Sequence, residues 1–406
     1  MEWPTQCSSE TSRELSSSPG SSIPLPTSVN TLSLGPQNTV STAADGYLNI
    51  SRLNRAALRS LVILFDGKKH LFCHHMVQAE KGFLREGVSP RRTVVALLGL
   101  HRLTETGARH PFDFETIEQT LFQNLDWVDG VGDLGLLSWF AALYAPAHLE
   151  RLYRRCDLET VLVSYRDARQ ADTKHLAWFL AGLAHAKLSQ SEALPDLTDL
   201  AVETYHKLQA NQGEDGIFSH RGPGKYIGRL VLGRFGTFAD QAHSIYALSK
   251  FAQAFHVEEP LEVAMDCAGA MCGMQGALGQ WWWLYDSRTG RLVSRYPVFS
   301  MQQDGTLPMA LFALEKASGL TFREPIHKGL SWVYGANELG ADLRDPGGAF
   351  IWDSIGRKTQ RAKFWERTLG FVGISSPVRN SGLEIRFKAQ PEHFGWLLYA
   401  LGSSGL

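Results

Sequence analysis

Acidic and histidine side chains stand at the starts of the most apolar segments of the chain, where they could act as acids or bases. Carboxylates that gather in one place perturb each other, because like charges keep one acid protonated while another stays ionised. One protonated and one ionised carboxyl form the pair that hydrolyses glycosidic bonds. The candidate catalytic residues are Asp304, Asp240, Asp133 and His393.

A competing interpretation of these aspartates is helix capping. Asp is a favoured N-cap residue, and its charge suits the positive end of a helix. Capping is the favoured interpretation for Asp172, in Ala-Asp-Thr-Lys-His, and Asp133 is nearly as ambiguous. Asp240 and Asp304 are the stronger catalytic candidates, since each lies beside Gln and follows a loop rich in Gly and aromatic residues.

Aromatic residues crowd the loops that precede the same apolar segments, and residues 281–283 are three consecutive tryptophans. Sugar faces stack on aromatic rings, whereas their hydroxyl groups need polar partners. In an extended strand Trp281 and Trp283 would share one face and Trp282 would take the other. We therefore expect these tryptophans to rim a cavity. The predicted substrate-binding residues are Trp281, Trp283, Tyr285, Tyr296, Gln241, Gln303, Asp172, Arg234 and Trp352.

Two kinds of helix alternate along the chain and must position these residues. Six amphipathic segments, from Leu53–Phe65 to Phe322–Tyr334, are each followed by a segment that is apolar nearly all round. The apolar segments begin near 93, 133, 173, 240, 304 and 392. A helix without a polar face is buried. The pattern predicts an all-α fold, an (α/α)6 toroid of six inner and six outer helices; a straight two-layer solenoid is the alternative.

The long connections all lead from an amphipathic segment into a buried one. They cover 66–92, 212–238, 275–302 and 338–391. They therefore decorate the end of the ring where the inner helices start, and long loops on a rigid frame concentrate function. We expect small β-hairpins there, one from Trp281–Tyr285 and Arg291–Val298, and another around residues 350–356.

A short frame recurs after two of the amphipathic segments: Gln, three residues, Gly, one residue, aromatic. It occurs at 212–218 and 275–281, with a looser copy at Asn337 and 348–350. Gln can bond exposed carbonyls at a helix end, Gly permits the turn, and the aromatic ring wedges between helices. The frame resembles the "QW" repeat of terpenoid cyclases and similar turns in six-hairpin glycosidases and polysaccharide lyases. That resemblance implies a toroid over residues 50–406 without assigning a specific family.

The leading hypothesis is a carbohydrate-active enzyme, a glycoside hydrolase acting on an oligosaccharide or glycan precursor. Uronate lyase and epimerase are neighbouring chemistries, with His393 and a tyrosine, Tyr246 or Tyr296, as acid and base. Basic residues of the 212–238 loop could then hold an anionic group; they are Arg221, Lys225, Arg229 and Arg234.

Two further hypotheses remain open. The first is an isoprenoid cyclase with Asp304 or Asp240 as proton donor and cation–π stabilisation by aromatic rings. The chain lacks the Asp-x-Asp-Asp and Asp-Asp-x-x-Asp motifs of such enzymes. The second is a non-catalytic toroid that binds a glycan or a protein.

Composition limits the partners. The 406 residues carry a formal net charge of −1, which argues against a nucleic-acid binder. No run approaches the ~18 apolar residues of a membrane span. The first 44 residues contain eleven Ser and five Pro, which predicts a disordered tail before a single domain at 45–406. The oligomeric state is left open.

The five cysteines are scattered along the chain at 7, 73, 156, 267 and 272. An odd, scattered set is typical of a reducing compartment, so we expect a cytoplasmic protein. Cys267 and Cys272 are separated by four residues, but no second Cys or His pair has zinc-ligand spacing. The sequence assigns no metal site and no cofactor, and metal dependence is left open. Residues 73–75, Cys-His-His, are a weak metal signal, and a half-buried strand is the favoured interpretation.

Overall fold

A computed structural model describes residues 43–79, 82–155, 172–189, 196–222, 233–359 and 382–402. The predicted tail lies outside these residues, apart from its last two positions, which begin the first helix. The division into a tail and a single domain stays a prediction.

The described residues form twelve α-helices, which alternate as the sequence predicts. The amphipathic segments are the odd-numbered helices and the apolar segments the even-numbered ones. The helices are α1 Ala43–Leu64, α2 Pro90–Thr104, α3 Phe114–Gln123, α4 Val131–Tyr144, α5 His148–Arg155, α6 Thr173–Leu188, α7 Thr198–Gln209, α8 Phe238–Phe255, α9 Glu259–Gly273, α10 Leu307–Ser318, α11 Arg323–Val333 and α12 Pro391–Leu401. A π-helical turn, Gln302–Thr306, leads into α10.

The even-numbered helices pack against each other in chain order, and α12 packs against α2. Odd-numbered helices lie against them: α1 contacts α12, α5 contacts α4, α7 contacts α6, α9 contacts α8, and α11 contacts α10. The result is a mostly helical molecule with small sheets in its loops. No helix within the described ranges is long and apolar enough to cross a bilayer.

Glycines bring two pairs of even-numbered helices into backbone contact. A Cβ atom on Gly99 of α2 would lie 2.2 Å from the carbonyl oxygen of Gly395 in α12. A Cβ atom on Gly182 of α6 would lie 2.4 Å from the carbonyl oxygen of Gly135 in α4. Any larger residue would force these helices apart, which explains why their apolar faces include glycine.

Aromatic side chains from four even-numbered helices fill the space between them. Trp139 of α4 stacks on Tyr246 of α8 with ring centroids 4.6 Å apart, and on His185 of α6 at 5.2 Å. The Tyr246 hydroxyl bonds to His185 Nε2 at 2.8 Å and to the hydroxyl of Tyr399 in α12 at 2.7 Å. This aromatic stack is a packed core between these helices.

Eleven short strands lie in the described connections and pair antiparallel throughout. They form four sheets, β1-β2, β11-β3-β4, β5-β6-β7 and β10-β9-β8. The strands are β1 Phe65–Asp66, β2 Leu71–Phe72, β3 His75–Ala79, β4 Gly82–Glu86, β5 Phe235–Thr237, β6 Leu284–Asp286, β7 Arg291–Ser294, β8 Val298–Phe299, β9 Ser354–Arg357, β10 Leu383–Arg386 and β11 Lys388–Ala389.

The two predicted hairpins differ in outcome. The β6–β7 hairpin is confirmed, although the three tryptophans precede β6 rather than forming its strand. The second prediction, around residues 350–356, is met in part: Arg344 and Ile351 form a local antiparallel bridge, and the Trp352 amide donates to the carbonyl oxygen of Leu343 at 2.8 Å. Strand β9, which follows, pairs with β8 and β10 rather than with this turn.

The recurring Gln–Gly–aromatic frame has the same geometry in both copies. Gln212 Nε2 donates to the carbonyl oxygens of Gly216 and Val263, each at 3.0 Å. Gln275 Nε2 donates likewise to those of Gly279 at 3.1 Å and Pro325 at 2.9 Å. Since Val263 and Pro325 belong to α9 and α11, each frame ties its turn to the next odd-numbered helix rather than to the end of its own helix.

The looser third copy keeps part of this geometry. Asn337 Nδ2 donates to the carbonyl oxygen of Ala341 at 2.7 Å, four residues ahead, as in the Gln copies. Its second bond, at 2.8 Å, goes to Trp332 of its own helix. The loop still reaches the next amphipathic helix in the ring order, because the Ser60 hydroxyl of α1 donates to the carbonyl oxygen of Ala349 at 2.5 Å.

Candidate active site

Asp240 sits in the first turn of α8 and is completely buried. It forms a capping box with Thr237: its carboxylate accepts from the Thr237 amide at 2.8 Å and from the Thr237 hydroxyl at 2.7 Å. It also lies 3.1 Å from Nδ1 of His220 and accepts from the Lys174 amide at 3.2 Å. Burial alone would raise the pKa of Asp240, but His220 and Thr237 together hold it below its usual value. The carboxylate is therefore ionised at neutral pH.

His220 bridges two carboxylates. Its Nδ1 faces Asp240, and its Nε2 lies 3.4 Å from the carboxylate of Asp172. Burial lowers the pKa of His220, yet the two carboxylates outweigh burial and raise it above the usual value. Sequence reasoning missed this residue. The available signal was its position two residues after the aromatic of the first frame.

Asp172 precedes α6 but makes no side-chain capping bond. Its carboxylate accepts from Arg221 Nε and lies beside His220 instead. The loop is held there because the Thr173 amide donates to the carbonyl oxygen of His220 at 2.8 Å. The expected ranking is therefore reversed: Asp240 caps its helix, whereas Asp172, expected to cap, faces a guanidinium group. A charge-assisted bond to arginine competes well with a neutral capping bond.

Asp133 lies in the first turn of α4 and binds Arg91 of α2 in a bidentate pair. Arg91 Nε and a terminal nitrogen lie 2.5 and 2.9 Å from its two carboxylate oxygens. The Asp129 amide donates to the same carboxylate at 3.1 Å. Arg91 is 25% exposed and Asp133 only 3%. The pair links the starts of α2 and α4 and leaves the guanidinium group accessible.

His175, in the first turn of α6, lies beside Asp172 and against the start of α4. Its Nδ1 is 3.9 Å from Asp172, and its ring packs where a Cβ on Gly132 would be 2.8 Å away. Partial burial and the charge of Lys174 lower its pKa, against the opposing charges of Asp172 and Asp133. The half-exposed imidazole is therefore neutral at neutral pH and able to accept a proton.

Together these side chains form a mostly buried set at the starts of α2, α4 and α6 and in the loop before α8, with exposures from 3% for Asp133 to 31% for Arg221. It combines two carboxylates, two guanidinium groups and two imidazoles. Such a set can bind an anionic group and transfer protons. We call it the polar face; its members are Arg91, Asp133, Asp172, His175, His220 and Arg221.

Asp304 and His393 form a separate, sealed pair. His393 Nε2 lies 2.8 and 3.1 Å from the two carboxylate oxygens of Asp304. The His393 side chain is 4% exposed and the Asp304 side chain 0%. Burial raises the pKa of Asp304, and the neighbouring His393 only partly offsets this. The lyase combination of His393 with a tyrosine is not assembled, because Tyr246 belongs to the aromatic stack and the Tyr296 hydroxyl donates to Glu338 at 2.7 Å.

The predicted aromatic rim is corrected by burial. Trp281, Trp283 and Tyr285 are each only 1% exposed, so their rings pack inside the protein and do not rim an open cavity. Gln241 and Gln303, whose side-chain amides are predicted to bind substrate, hold the frames in place instead. Gln241 Oε1 accepts from the Phe218 amide at 2.7 Å, and Gln303 Oε1 accepts from the Trp281 amide at 3.3 Å.

The remaining predicted binding residues also lie away from the polar face. Arg234 is paired with Asp286 at 2.6 Å, and Tyr296 is 4% exposed beneath the Arg357 guanidinium. Trp352 borders a different groove. Lys225 and Arg229 fall outside the described residues. Of the nine predicted binding residues, Asp172 alone belongs to the polar face.

Residues 73–75 match the expected half-buried strand only at His75, because Cys73 is buried outside any strand and His74 lies in a bend. His75 begins β3 and is half-buried, and its Nε2 lies 2.9 Å from Glu86 on the neighbouring strand β4. Within the described part of the chain, no group of three or more His, Cys, Asp or Glu side chains is arranged to hold a metal ion.

No protein-family model matches the chain, and no curated protein matches it. Solved structures do match over most of its length. The unsaturated glucuronyl hydrolase of Bacillus sp. GL1 is 16% identical, with a TM-score of 0.53, covering 87% of this chain and 95% of that one. A possible member of the GH105 family from Klebsiella pneumoniae is 11% identical, with a TM-score of 0.54 and coverage of 92% and 98%.

A third similar structure is a sugar epimerase from a ruminal bacterium. It is 9% identical, with a TM-score of 0.54, covering 88% of this chain and 99% of that one. All three are (α/α)6 toroids of the six-hairpin glycosidase type. At these identities the likeness concerns the fold, and the chain shares the toroid fold of these enzymes.

Proposed function

We propose that the chain is a carbohydrate-active enzyme of the glycoside hydrolase type, with the polar face as its active site. In this proposal the even-numbered helices form the inner ring and the odd-numbered helices the outer ring. The circuit of contacts from α2 round to α12 and back supports this arrangement. The polar face then lies at the inner-helix starts, beside the long loops.

The observation that carries the proposal is the pairing of Asp133 and Asp172, each with an arginine, at neighbouring helix starts, with His175 beside Asp172. Arg221 and His220, whose pKa is raised, place positive charge beside Asp172, which suits this carboxylate to the role of base or nucleophile. Asp133 is held by Arg91, and a substrate anion that displaced it from Arg91 would free its carboxyl group to act as the acid.

The two guanidinium groups favour an acidic sugar, because arginine binds carboxylates in a bidentate geometry. The unsaturated glucuronyl hydrolase of similar fold degrades glycosaminoglycan, by its description. The proposed substrate is therefore an oligosaccharide that carries a uronic acid. The proposed location stays cytoplasmic.

A second candidate function is sugar epimerisation, which one specific observation favours. His175 and His220 lie on the same face with opposite pKa shifts, so one is poised to accept a proton and the other to donate one. An epimerase needs such a base and acid on either side of a carbon centre. The sugar epimerase of similar fold is consistent with this chemistry.

Isoprenoid cyclisation finds less support. It would need Asp240 or Asp304 as a proton donor facing a ligand. The Asp240 carboxylate is instead hydrogen-bonded within its capping box, and Asp304 is buried against His393. A non-catalytic glycan-binding toroid would use the same polar face without turnover, and it is tested together with the enzyme.

The test compares turnover in matched variants. The purified protein is assayed with unsaturated uronyl disaccharides for hydrolysis and with free sugars for epimerisation. Asp172→Asn and Asp133→Asn should each lower kcat/KM for hydrolysis at least about 100-fold, as expected for an acid/base group. Asp199→Asn, in the exposed first turn of α7, is the control and should not change it.

The outcomes separate the candidates. Hydrolysis that survives His175→Gln but not Asp172→Asn supports the hydrolase. Epimerisation that disappears in His175→Gln supports the second candidate. Sugar binding without either reaction overturns the enzyme and leaves a binding protein.

A further inference from the structure

A second charged groove lies on the outer surface and shares no residue with the polar face. It has a volume of about 730 Å³ and runs between α1 and the loops around residues 342–352 and 385–387. Arginines line it on both sides: Arg52, Arg55 and Arg59 from α1, and Arg344 from the loop after α11. We call it the arginine groove.

The positive charge of this groove is not neutralised locally. Arg52, Arg55 and Arg59 are exposed, and none of them makes an ion pair within the described residues. They fall on one side of α1, where like charges repel each other. A chain with a net charge of only −1 therefore concentrates three unpaired guanidinium groups along two turns of one helix.

The acidic residues of the groove are already engaged. Asp342 holds Arg344, with contacts of 2.5 and 2.9 Å. Asp345 stabilises its own turn, accepting from the Ala349 amide at 3.4 Å. Four arginines against two aspartates leave the lining of the groove with an excess of positive charge, which favours an anionic ligand.

Aromatic rings form the floor. Trp352 stacks on Phe83, with ring centroids 5.7 Å apart, and Phe387 meets Trp352 edge-on at 5.2 Å. Phe387 is 46% exposed, which is unusual for so large an apolar ring and leaves one face open to the groove. Exposed aromatic faces beside hydrogen-bond donors are typical of carbohydrate subsites.

We propose that the arginine groove binds an anionic oligosaccharide, with sulfate or carboxylate groups on Arg52, Arg55 and Arg59 and a sugar face on Phe387. Successive arginines are separated by roughly 4.5 and 6 Å along the helix axis, comparable with the length of one sugar unit. The choice of a saccharide rests on the proposed function; the need for an anion does not.

The test is calorimetric binding to the full chain of three ligands: a sulfated heparin tetrasaccharide, a tetragalacturonate and inorganic tripolyphosphate. Arg55→Glu/Arg59→Glu should weaken saccharide binding at least about tenfold, the effect of losing one charge-assisted bond. Phe387→Ala should weaken both saccharides and leave tripolyphosphate unaffected. The matched control is Arg288→Glu/Arg291→Glu, the same charge change at exposed positions of the β6–β7 turn.

Each outcome decides the proposal. Selective loss in the groove variants supports it, and the saccharide that binds more tightly identifies sulfate or carboxylate as the group recognised. Three results would overturn it. The first is an equal loss of affinity in the control variant, and the second is unchanged affinity in Arg55→Glu/Arg59→Glu or in the single variant Arg59→Glu. The third is saccharide binding that does not change in Phe387→Ala. Because the assay needs no turnover, groove binding without hydrolysis would reject the proposed function alone, and hydrolysis without groove binding would reject the groove alone.

Discussion

Two stretches of the chain, 212–241 and 275–303, are built on one plan. In both, an amide side chain ties a glycine turn to the next odd-numbered helix. In both, the aromatic of the frame is held by a Gln near the start of the following even-numbered helix, Gln241 in the first copy and Gln303 in the second. The frame is therefore a device for fixing where an even-numbered helix begins.

The copies diverge at the residue before that Gln. The first copy has Asp240, which accepts from the Thr237 amide; the second has Gln302, which accepts from the Phe299 amide at 3.3 Å. The charge of the second copy is displaced to Asp304, inside the π-helical turn. Asp240 thereby joins a network that reaches the surface through His220 and Asp172, whereas Asp304 is buried against His393. A small shift in the position of the acidic residue on a common frame therefore decides which carboxylate is linked to the surface.

The largest test of this contrast exchanges each carboxylate for an amide. Asp240→Asn should lower the free energy of unfolding by about 3 kcal/mol, since it breaks a buried pair and leaves His220 with the more distant Asp172 as its carboxylate partner. Asp304→Asn should cost clearly less, because burial already disfavours its ionised form. Urea unfolding at neutral pH measures both, with Asp199→Asn as the control. Equal losses of unfolding free energy in Asp240→Asn and Asp304→Asn would contradict the difference between the two copies.

Glycines of the frame should be the next most sensitive positions. Gly279 has φ +91° and a Cβ there would lie 2.1 Å from the carbonyl oxygen of Lys328; Gly216 has φ +81° and the distance to Asp266 is 2.8 Å. Gly279→Ala should therefore cost about 2 kcal/mol or more from strain and overlap, and Gly216→Ala somewhat less. Thermal unfolding gives the order. The exposed helical Gly269, which has no neighbour within 4 Å, should tolerate alanine; the reverse order would show that the copies are not held alike.

Removing the Gln side chain of either frame should destabilise the protein less than the glycine substitutions, and by the same amount in both copies. Gln212→Ala and Gln275→Ala each remove two bonds to half-buried carbonyl groups, which corresponds to about 1 to 2 kcal/mol. Chemical denaturation of the two variants, with the exposed Gln119→Ala as control, measures the difference. A loss confined to one copy would mean that only that copy uses the frame.

The smallest effect concerns pH and should occur in the first copy. The raised pKa of His220 means that its carboxylate partners stabilise the folded state fully below pH 6.5, and that this contribution is lost as pH rises through the folded pKa. The stability difference between the wild type and His220→Gln should therefore shrink from pH 6 to pH 9. Stability curves of both proteins across this range test the sign; a difference that grows with pH would refute the assigned charge state.

Much of the fold could be predicted because it depends on local periodicity. The alternation of amphipathic and apolar segments identified all six even-numbered helices, and the spacing of Gln and Gly in the frames identified their turns. These signals lie within a few residues of one another, so tertiary packing has little opportunity to override them.

The candidate site could not be predicted to the same degree, because its contacts join distant loops. Asp172 looked like a cap from its neighbours, and only the approach of Arg221 and His220 changes its role. The tryptophans were misjudged for the opposite reason. An aromatic residue in a loop suggests a ligand surface, but Trp281 and Trp283 have protein on every side.

The glycine contacts between helices affect how the ring can deform. Gly99 and Gly395 lock α2 to α12, and Gly135 and Gly182 lock α4 to α6, each at backbone distance. These are two stiff units, and the seam where they meet is crossed by the bidentate pair of Arg91 and Asp133. The seam between α2 and α4 therefore depends on an ion pair, whereas α2–α12 and α4–α6 are closed by backbone packing. An anion that bound Arg91 in place of Asp133 would loosen the seam between the two units without disturbing the packing inside either one.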